Sequence, residues 1–352
     1  MKRVTVPFFI SHQGCPHTCI FCDQQIISGT IGQLPTSDEI IAKVQAWQRS
    51  AGSCSMEVAF FGGTFTALEL DIQEQLLWPL QSLLAAGEID SVRISTRPDC
   101  IAAGHLGWLA DRGVRTIELG VQSMDNSVLA AVGRGHDAAS SDAAIRCIRD
   151  HGLSVGAQLM PGLPGDTPAI SLRSLEYVIA AGVDFVRIYP ALVLRGTELA
   201  RRFEADEYSP LELNEGISLC KALLHTALKA GVSVIRIGLQ DDEGLNSGSV
   251  LAGCRHPAFG QLVRSELYYD LLRQLASGLP DAASLSIHCH PSRVSDVIGQ
   301  SRVNLKRLSE KGRALEVKTD VSLLKEEIAI YCLDYHCKGH VVTDLQFNIR
   351  EV

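Results

Sequence analysis

Three cysteines near the amino terminus carry the clearest chemical signal in the sequence. Cys15, Cys19 and Cys22 lie in the segment GCPHTCIFCDQ and have the spacing C-x3-C-x2-C. Three thiolates on one short loop can hold three irons of a cubane iron–sulfur cluster, which leaves the fourth iron open to a substrate. The spacing therefore predicts a catalytic [4Fe-4S] cluster.

Two other interpretations of the triplet stay open. Zinc usually takes four protein ligands, and His12 or His17 could supply the fourth, although C-x2-C is the usual zinc spacing. The three thiols could also be unliganded. Four further cysteines sit singly in apolar segments and are expected to be small core residues: Cys54, Cys100, Cys147 and Cys220.

The elements that would position the cysteine loop alternate along the first half of the chain. Apolar β-rich runs alternate with helical patterns, which predicts βα units and a parallel sheet. The predicted strands are Val4–Ile10, Val58–Phe61, Val92–Thr96, Thr116–Gln122, Ser154–Met160 and Phe185–Tyr189. In such folds the loops after the strands form the active face. Six units do not close a barrel, so we expect an α/β partial (β/α)6 TIM-like barrel with a small α/β C-terminal extension.

The pattern changes after Gly196 and predicts three segments. Residues 1–200 are expected to form the partial barrel, 201–280 a helical and strand extension of it, and 281–352 a small α+β domain. In the last segment, 322–330 has a helical pattern and 341–345 that of a strand. A possible second metal site would draw on residues of the last two segments, namely Cys254, His256, His288, Cys289, His290, Cys332, His336, Cys337 and His340.

Composition and charge indicate which cellular compartment and which partners to expect. The chain has 352 residues, 46% of them hydrophobic, and a net charge of -8. No apolar run reaches the roughly 20 residues that span a bilayer, and no signal-peptide pattern is present, so we expect a soluble cytoplasmic protein without a membrane partner. The net charge argues against a protein wrapped in nucleic acid, yet residues 290–318 carry seven basic and three acidic side chains. That local excess is compatible with phosphate contacts or with a solvated helix face.

Five further motifs follow the triplet in a fixed order. They are FFGGTFTAL (60–68), STRPDCI (95–101), IELGVQSMDNSVLAAVGRGH (117–136), MPGLPGDT (160–167) and VRIYPALVLRGTEL (186–199). With the triplet they resemble the radical S-adenosylmethionine superfamily, and more closely the radical domain of the Elongator catalytic subunit family and its oxygen-independent coproporphyrinogen oxidase relatives. The resemblance covers about residues 5–275. One position departs from it, because many relatives carry Glu where this chain has Ser95.

The resemblance implies a pocket for S-adenosylmethionine at the strand ends. Gly62 and Gly63 would let the backbone approach the methionyl amine, unless they form a simple tight turn. Arg134 would reach the methionyl carboxylate, unless it is a solvated loop residue. Glu118 shares a strand face with Gly120 and Gln122 by period-2 alternation, so an inward role is expected. The full set of predicted cofactor-binding residues is Gly62, Gly63, Thr64, Glu118, Gln122, Ser123, Arg134, Gln158 and Tyr189.

The implied activity is reductive cleavage of S-adenosylmethionine to a 5′-deoxyadenosyl radical that abstracts hydrogen from a substrate, with an external one-electron donor. Elongator-type enzymes act on the wobble uridine of transfer RNA, which makes tRNA the leading substrate. They also carry an acetyltransferase domain. The tail here is shorter than such a domain and lacks an acetyl-coenzyme A loop, so we expect no acetyl-dependent reaction. The alternatives are a radical enzyme acting on a small molecule such as a tetrapyrrole, and a non-catalytic iron–sulfur or haem-binding protein.

Overall fold

The computed structural model describes residues 3–10, 13–23, 34–52, 54–239, 248–279, 284–309 and 314–345. The chain divides into two compact units. The first combines 1–211 with 239–253, and the second combines 212–238 with 254–352. These units differ from the three segments predicted from the sequence, because the segment 212–238 groups with the C-terminal part of the chain. No helix in the described part of the chain is long and apolar enough to cross a membrane.

The first unit alternates strands and helices. Its strands are β1 (Arg3–Phe9), β2 (Ser55–Phe61), β3 (Ser91–Thr96), β4 (Val114–Gln122), β5 (Ser154–Leu159), β6 (Phe185–Ile188), β7 (Val193–Leu194) and β9 (Val250–Ala252). Its helices are α1 (Ser37–Ala51), α2 (Leu70–Ala85), α3 (Ala103–Asp111), α4 (Asn126–Ala131), α5 (Ala138–Asp150), α6 (Pro168–Ala181) and α7 (Glu198–Glu204). Strands β1 to β6 are parallel neighbours in chain order. This confirms the partial (β/α)6 barrel.

The sheet positions the site because all six parallel strands end at one edge. The strands are buried, and their alternate side chains Val58, Ile94 and Ile117 are apolar and fully buried. The cysteine loop follows β1, the glycine motif follows β2, and Gln122 ends β4. Residues far apart in sequence therefore meet beyond the carboxyl ends of the strands.

Helix boundaries follow local capping chemistry. The Thr36 hydroxyl accepts a hydrogen bond from the Glu39 amide, and the Glu39 carboxylate accepts one from the Thr36 amide, which forms a capping box at α1. Thr167 caps α6 in the same way, ahead of Pro168 at the first helical position. Gly182 ends α6 in the left-handed region, at φ 98°. An N-cap side chain such as that of Thr36 or Thr167 contributes about 1 kcal/mol to stability.

The second unit contains long helices and a four-stranded sheet. Its elements are α8 (Leu213–Lys229), β8 (Ser233–Ile237), α9 (Phe259–Ser277), β10 (Ser284–Cys289), α10 (Val294–Ile298), α11 (Val303–Ser309), β11 (Ala314–Thr319), β12 (Glu327–Cys332) and β13 (Tyr335–His340). The sheet order is β11-β10-β12-β13. The Lys221 ammonium contacts the Asp270 carboxylate at 2.5 Å and joins α8 to α9.

Two sequence-based predictions in this unit were wrong. The segment 322–330 was expected to be helical, but strand β12 begins at Glu327 and the residues before it form turns. The segment 341–345 was expected to be a strand, whereas residues 341–344 form turns that follow β13. Short apolar runs have no decisive period, so the antiparallel pairing of β12 with β10 and β13 decided their conformation.

Candidate active site

The cysteine loop is anchored to the rest of the first unit by backbone hydrogen bonds. The Ile20 amide donates to the Val132 carbonyl at 3.1 Å, and the Leu199 amide donates to the Ile20 carbonyl at 2.8 Å. Within the loop the Cys22 amide donates to the Cys19 carbonyl at 3.1 Å. Cys15 is exposed, Cys19 is buried, and Cys22 is half-buried, all as free thiols. The predicted ligands thus lie on one loop that follows β1.

The glycine motif after β2 packs backbone to backbone against the cysteine loop. A Cβ on Gly63 would lie 2.5 Å from the Ile10 carbonyl oxygen and 2.6 Å from that of Gln13. The Thr64 amide donates to the Gln13 carbonyl at 2.9 Å, and the Thr64 hydroxyl lies 3.3 Å from the Cys15 sulfur. Gly63 is therefore required for close approach of two loops, which goes beyond a simple tight turn.

Gln122 occupies a strained position at the end of β4. Its φ is 70°, in the left-handed region that favours glycine, and the register with β5 shifts between Gly120 and Gln122. The buried Gln122 side chain accepts a hydrogen bond from the Gln158 amide group at 3.3 Å. Such strain costs about 1–3 kcal/mol and concentrates at functional sites. The bulge also interrupts the simple alternation of side chains that the sequence predicted for this strand end.

Arg134 points at the cysteine loop. Its Nη1 donates to the Cys19 sulfur at 3.3 Å, and its Nη2 donates to the Gly120 carbonyl at 2.5 Å. Only 8% of Arg134 is exposed, which rules out the alternative of a solvated loop arginine. A Cβ on Gly120 would lie 2.7 Å from Nη2, so the glycine leaves room for the guanidinium.

A second buried arginine, which sequence reasoning did not single out, supports Arg134. Arg97 forms a two-pronged pair with Asp99, from Nε to Oδ1 and from Nη2 to Oδ2, both at 2.9 Å. Its Nη2 also donates to the Arg134 carbonyl at 2.6 Å. Burial opposes the charged form of Asp99, but the hydrogen bonds and charge of Arg97 outweigh it, so the carboxyl pKa is lowered. Both residues lie in the STRPDCI motif, whose Arg and Asp spacing was the available signal.

His136 is buried beside this pair. Its Nδ1 lies 3.7 Å from the Asp99 carboxylate, and its side chain is fully buried. Burial, and next the positive charge of Arg134, lower its pKa to about 4. The imidazole is therefore neutral at pH 7 and adds no charge to the site.

Glu118 belongs to an ion network inside the barrel. Its carboxylate contacts Nη1 of Arg93 at 2.5 Å and Nη2 of Arg187 at 3.2 Å. Arg93 also pairs with the fully buried Glu57 at 2.8 Å. The inward direction predicted for Glu118 is correct, but its oxygens are engaged by arginines from β3 and β6. Its predicted cofactor contact stays a prediction.

Two remaining predicted residues have protein partners as well. The Ser123 hydroxyl accepts a hydrogen bond from the Asp125 amide at 3.1 Å and lies 3.3 Å from the Ser174 hydroxyl, which gives it a role in the turn before α4. The Tyr189 hydroxyl accepts a hydrogen bond from Arg187 at 3.3 Å. Cofactor contacts of Ser123 and Tyr189 stay predictions.

The donor set of the loop fits a cluster held by three cysteines. Thiolates are the protein ligands of iron–sulfur clusters, and an arginine beside a cysteine sulfur stabilises the thiolate form. In the described residues, however, no three His, Cys, Asp or Glu side chains converge as a ready metal site. The three sulfurs are thus on one loop without standing at coordinating positions. The C-terminal Cys and His residues do not converge either within those ranges, and His12 lies outside the described residues.

Comparison with known proteins assigns the family. The Radical SAM superfamily model matches residues 9–178, and the Radical SAM C-terminal domain model matches 183–269. An uncharacterized protein of Methanocaldococcus jannaschii is 30% identical over 225 residues, which are 60% of this chain and 69% of that protein. The tRNA uridine(34) acetyltransferase of Methanocaldococcus infernus is 28% identical over 58% of this chain. This chain spans 46% of that enzyme, about half its length.

A solved structure shows the same fold. The archaeal Elp3 of Methanocaldococcus infernus superposes with a TM-score of 0.62 at 22% identity, over 79% of this chain and 64% of that chain. The cysteine loop and the motifs that surround it lie inside the matched region of the superfamily model. The chain belongs to the radical SAM superfamily and is an enzyme whose cofactors are a [4Fe-4S] cluster and S-adenosylmethionine.

Proposed function

We propose that this enzyme performs radical chemistry on a uridine of transfer RNA. When bound, the cluster and S-adenosylmethionine supply a 5′-deoxyadenosyl radical that abstracts hydrogen from the substrate, after an external donor has delivered one electron. The observation that supports an active site is the contact between Arg134 and Cys19, because it joins two separate motifs at the cysteine loop.

The residues of the chain would orient the cofactors rather than act as acids or bases. Cys15, Cys19 and Cys22 would bind the three irons. The backbone of Gly62, Gly63 and Thr64 would hold the methionyl amine, and at Gly63 the close packing leaves no room for a Cβ. The Gln122 and Gln158 amides, which already contact each other, offer donors and acceptors for the methionyl or ribose groups. The buried Gln122 side chain would help to exclude water from the reacting bonds.

The substrate assignment rests on relatives. The tRNA uridine(34) acetyltransferase of Methanocaldococcus infernus resembles this chain over 246 residues. The basic stretch offers partial support, because Arg302 and Lys306 are exposed, whereas Arg307 forms an ion pair with Glu266 at 2.7 Å. Lys311 and Arg313 of that stretch lie outside the described residues.

Anaerobic reconstitution tests the proposal. The chain is loaded with iron and sulfide, reduced with dithionite, and supplied with S-adenosylmethionine, with or without bulk tRNA. We expect 5′-deoxyadenosine to form, tRNA to accelerate its formation, and deuterium from labelled uridine to appear in it. Cys15→Ser, Cys19→Ser and Cys22→Ser should each abolish the product. Cys147→Ser, at a half-buried free cysteine on α5, is the matched control.

Two outcomes separate the parts of the proposal. Cleavage that ignores tRNA and transfers no deuterium would reject the substrate and retain the radical enzyme. Binding of tRNA should also weaken steeply as salt rises, since phosphate contacts release counterions. Salt-independent or absent binding would likewise reject tRNA.

A further inference from the structure

Two buried arginines lie beside the cysteine loop, and one of them, Arg97, pairs with a carboxylate. Arg97 is 2% exposed and Arg134 is 8% exposed. Asp99 pairs with Arg97, and among the described residues Nη1 of Arg97 and Nε of Arg134 have no hydrogen-bond partner. Buried charges are costly unless they are paired. The local excess of one positive charge is therefore a feature that the fold maintains at an energetic cost.

The Arg134 guanidinium contacts one atom of the cysteine loop. The Nη1 of Arg134 donates to the sulfur of Cys19, a predicted iron ligand. Hydrogen bonds and positive charge at a ligating sulfur favour the reduced state of an iron–sulfur cluster, because reduction adds negative charge there. Arg134 is therefore placed to raise the reduction potential of the cluster.

The position of Arg134 is set by several contacts of its loop, of which the bond from Arg97 is one; the Arg134 amide also donates to the Leu129 carbonyl at 3.0 Å. Gly133 and Gly135 flank it at φ 63° and 79°, so the backbone here is intrinsically permissive. A Cβ on Gly135 would lie 2.3 Å from the His17 ring, which shows how closely this loop packs on the cysteine loop. The bond from Arg97 Nη2 to the Arg134 carbonyl, at 2.6 Å, ties the loop to the end of β3.

We propose that Arg97, clamped by Asp99, is a positioning residue that holds the Arg134 guanidinium on the Cys19 sulfur and thereby sets the reduction potential of the cluster. Asp99 fixes the Arg97 guanidinium in a planar two-bond geometry that a lysine cannot reproduce. The bond from Arg97 then holds the Arg134 carbonyl in one position. From that position the Arg134 side chain reaches both the Gly120 carbonyl and the Cys19 sulfur. This inference rests on cluster binding and is independent of tRNA as substrate.

The test is a redox titration of the reconstituted chain without substrate, followed by the electron paramagnetic resonance of the reduced cluster. Arg134→Gln should lower the midpoint potential, with the constant for reduction falling about tenfold, which is about 59 mV for a one-electron couple. Arg97→Lys and Asp99→Asn should lower it in the same direction. Iron per chain and circular dichroism of each variant establish that the compared samples are folded and loaded.

A double variant distinguishes positioning from an independent charge effect. If Arg97 acts through Arg134, the Arg97→Lys/Arg134→Gln chain should have the potential of Arg134→Gln alone. Gly120→Ala adds a variant that retains both arginines, since its Cβ would meet the flexible ends of Arg134, at 2.7 Å, and of Gln122, at 3.1 Å. It should also lower the potential. The control is Arg146→Ala, in the exposed pair with Asp142 on α5, which should leave the potential unchanged.

Three results would overturn the proposal. Additive shifts in the double variant would mean that Arg97 acts on the cluster without Arg134. An unchanged potential in Arg97→Lys chains with full iron content would mean that Arg97 is structural only. An unchanged potential in Arg134→Gln would remove the contact on which the inference depends.

Discussion

Removal of the Glu118 carboxylate should destabilise the barrel rather than only weaken cofactor binding. The side chain is 5% exposed and contacts guanidinium groups at 2.5 and 3.2 Å. In Glu118→Ala, Arg93 retains Glu57, but Arg187 loses its carboxylate while 21% of its side chain is exposed. Breaking a buried pair in this way costs about 3–5 kcal/mol of the free energy of unfolding.

Urea unfolding of the first unit, followed by tryptophan fluorescence, measures this cost. We expect the midpoint for Glu118→Ala to fall well below that of the wild type, with Glu118→Gln between them because it retains shape and one hydrogen bond. Glu198→Ala, in the exposed pair with Arg201, is the matched control and should unfold like the wild type. A normal midpoint for Glu118→Ala together with weaker S-adenosylmethionine binding would refute the structural role and support the contact predicted from the sequence.

Three further predictions concern the site loops. Gly63→Ala should lower the free energy of unfolding by about 1–3 kcal/mol and reduce iron retention, because its Cβ meets two carbonyl oxygens. The control Gly107→Ala, which has open space around its Cβ, should change neither quantity. Gln122→Gly should stabilise the chain by up to about 1 kcal/mol by relieving its positive φ, yet weaken S-adenosylmethionine binding in calorimetry. Burial lowers the pKa of His136 to about 4, so the folded chain holds this imidazole neutral. The free energy of unfolding should therefore fall by about 3 kcal/mol as the pH drops from about 6.5 to 4. Urea titrations across this pH range should show a flatter profile for His136→Gln.

Each of these predictions has a contradicting result. Full iron retention in Gly63→Ala would show that the two loops can separate without consequence. Unchanged cofactor binding in Gln122→Gly would leave the strained φ without a functional reason. A His136→Gln chain that keeps the wild-type slope between pH 6.5 and 4 would assign that slope to other groups.

The barrel could be predicted from the sequence because the patterns that indicate its strands and helices are local. Parallel strands buried on both faces read as apolar runs, and caps such as Thr36 and Gly182 depend on neighbouring residues alone. The cysteine loop was predictable for the same reason, since all three thiols lie within one turn-rich segment. β12 was missed because its conformation depends on pairing with β10 and β13.

The directions of the charged side chains could not be predicted in this way. Glu118 was expected to face inward, and it does, but its partners Arg93 and Arg187 come from other strands. Arg134 was expected to reach a cofactor carboxylate, and its contact with Cys19 depends on how two loops dock. A motif specifies that an arginine is present, while the sulfur it contacts is set by tertiary packing.

The first unit contains two groups of buried charged side chains, and they differ in how fully carboxylates pair with the arginines. Inside the sheet, Glu57 contacts Arg93 and the half-exposed Arg3, and Glu118 contacts Arg93 and Arg187, so both carboxylates have arginine partners without any ligand. Beyond the strand ends, Asp99 pairs with Arg97, Arg134 contacts the Cys19 sulfur and the Gly120 carbonyl, and His136 is neutral at pH 7. A buried positive excess is stable only when an anion completes it. A thiolate cluster on the cysteine loop would supply that anion, so we expect the rim of the barrel to gain stability when the cluster binds, while the carboxylates of the interior already have arginine partners.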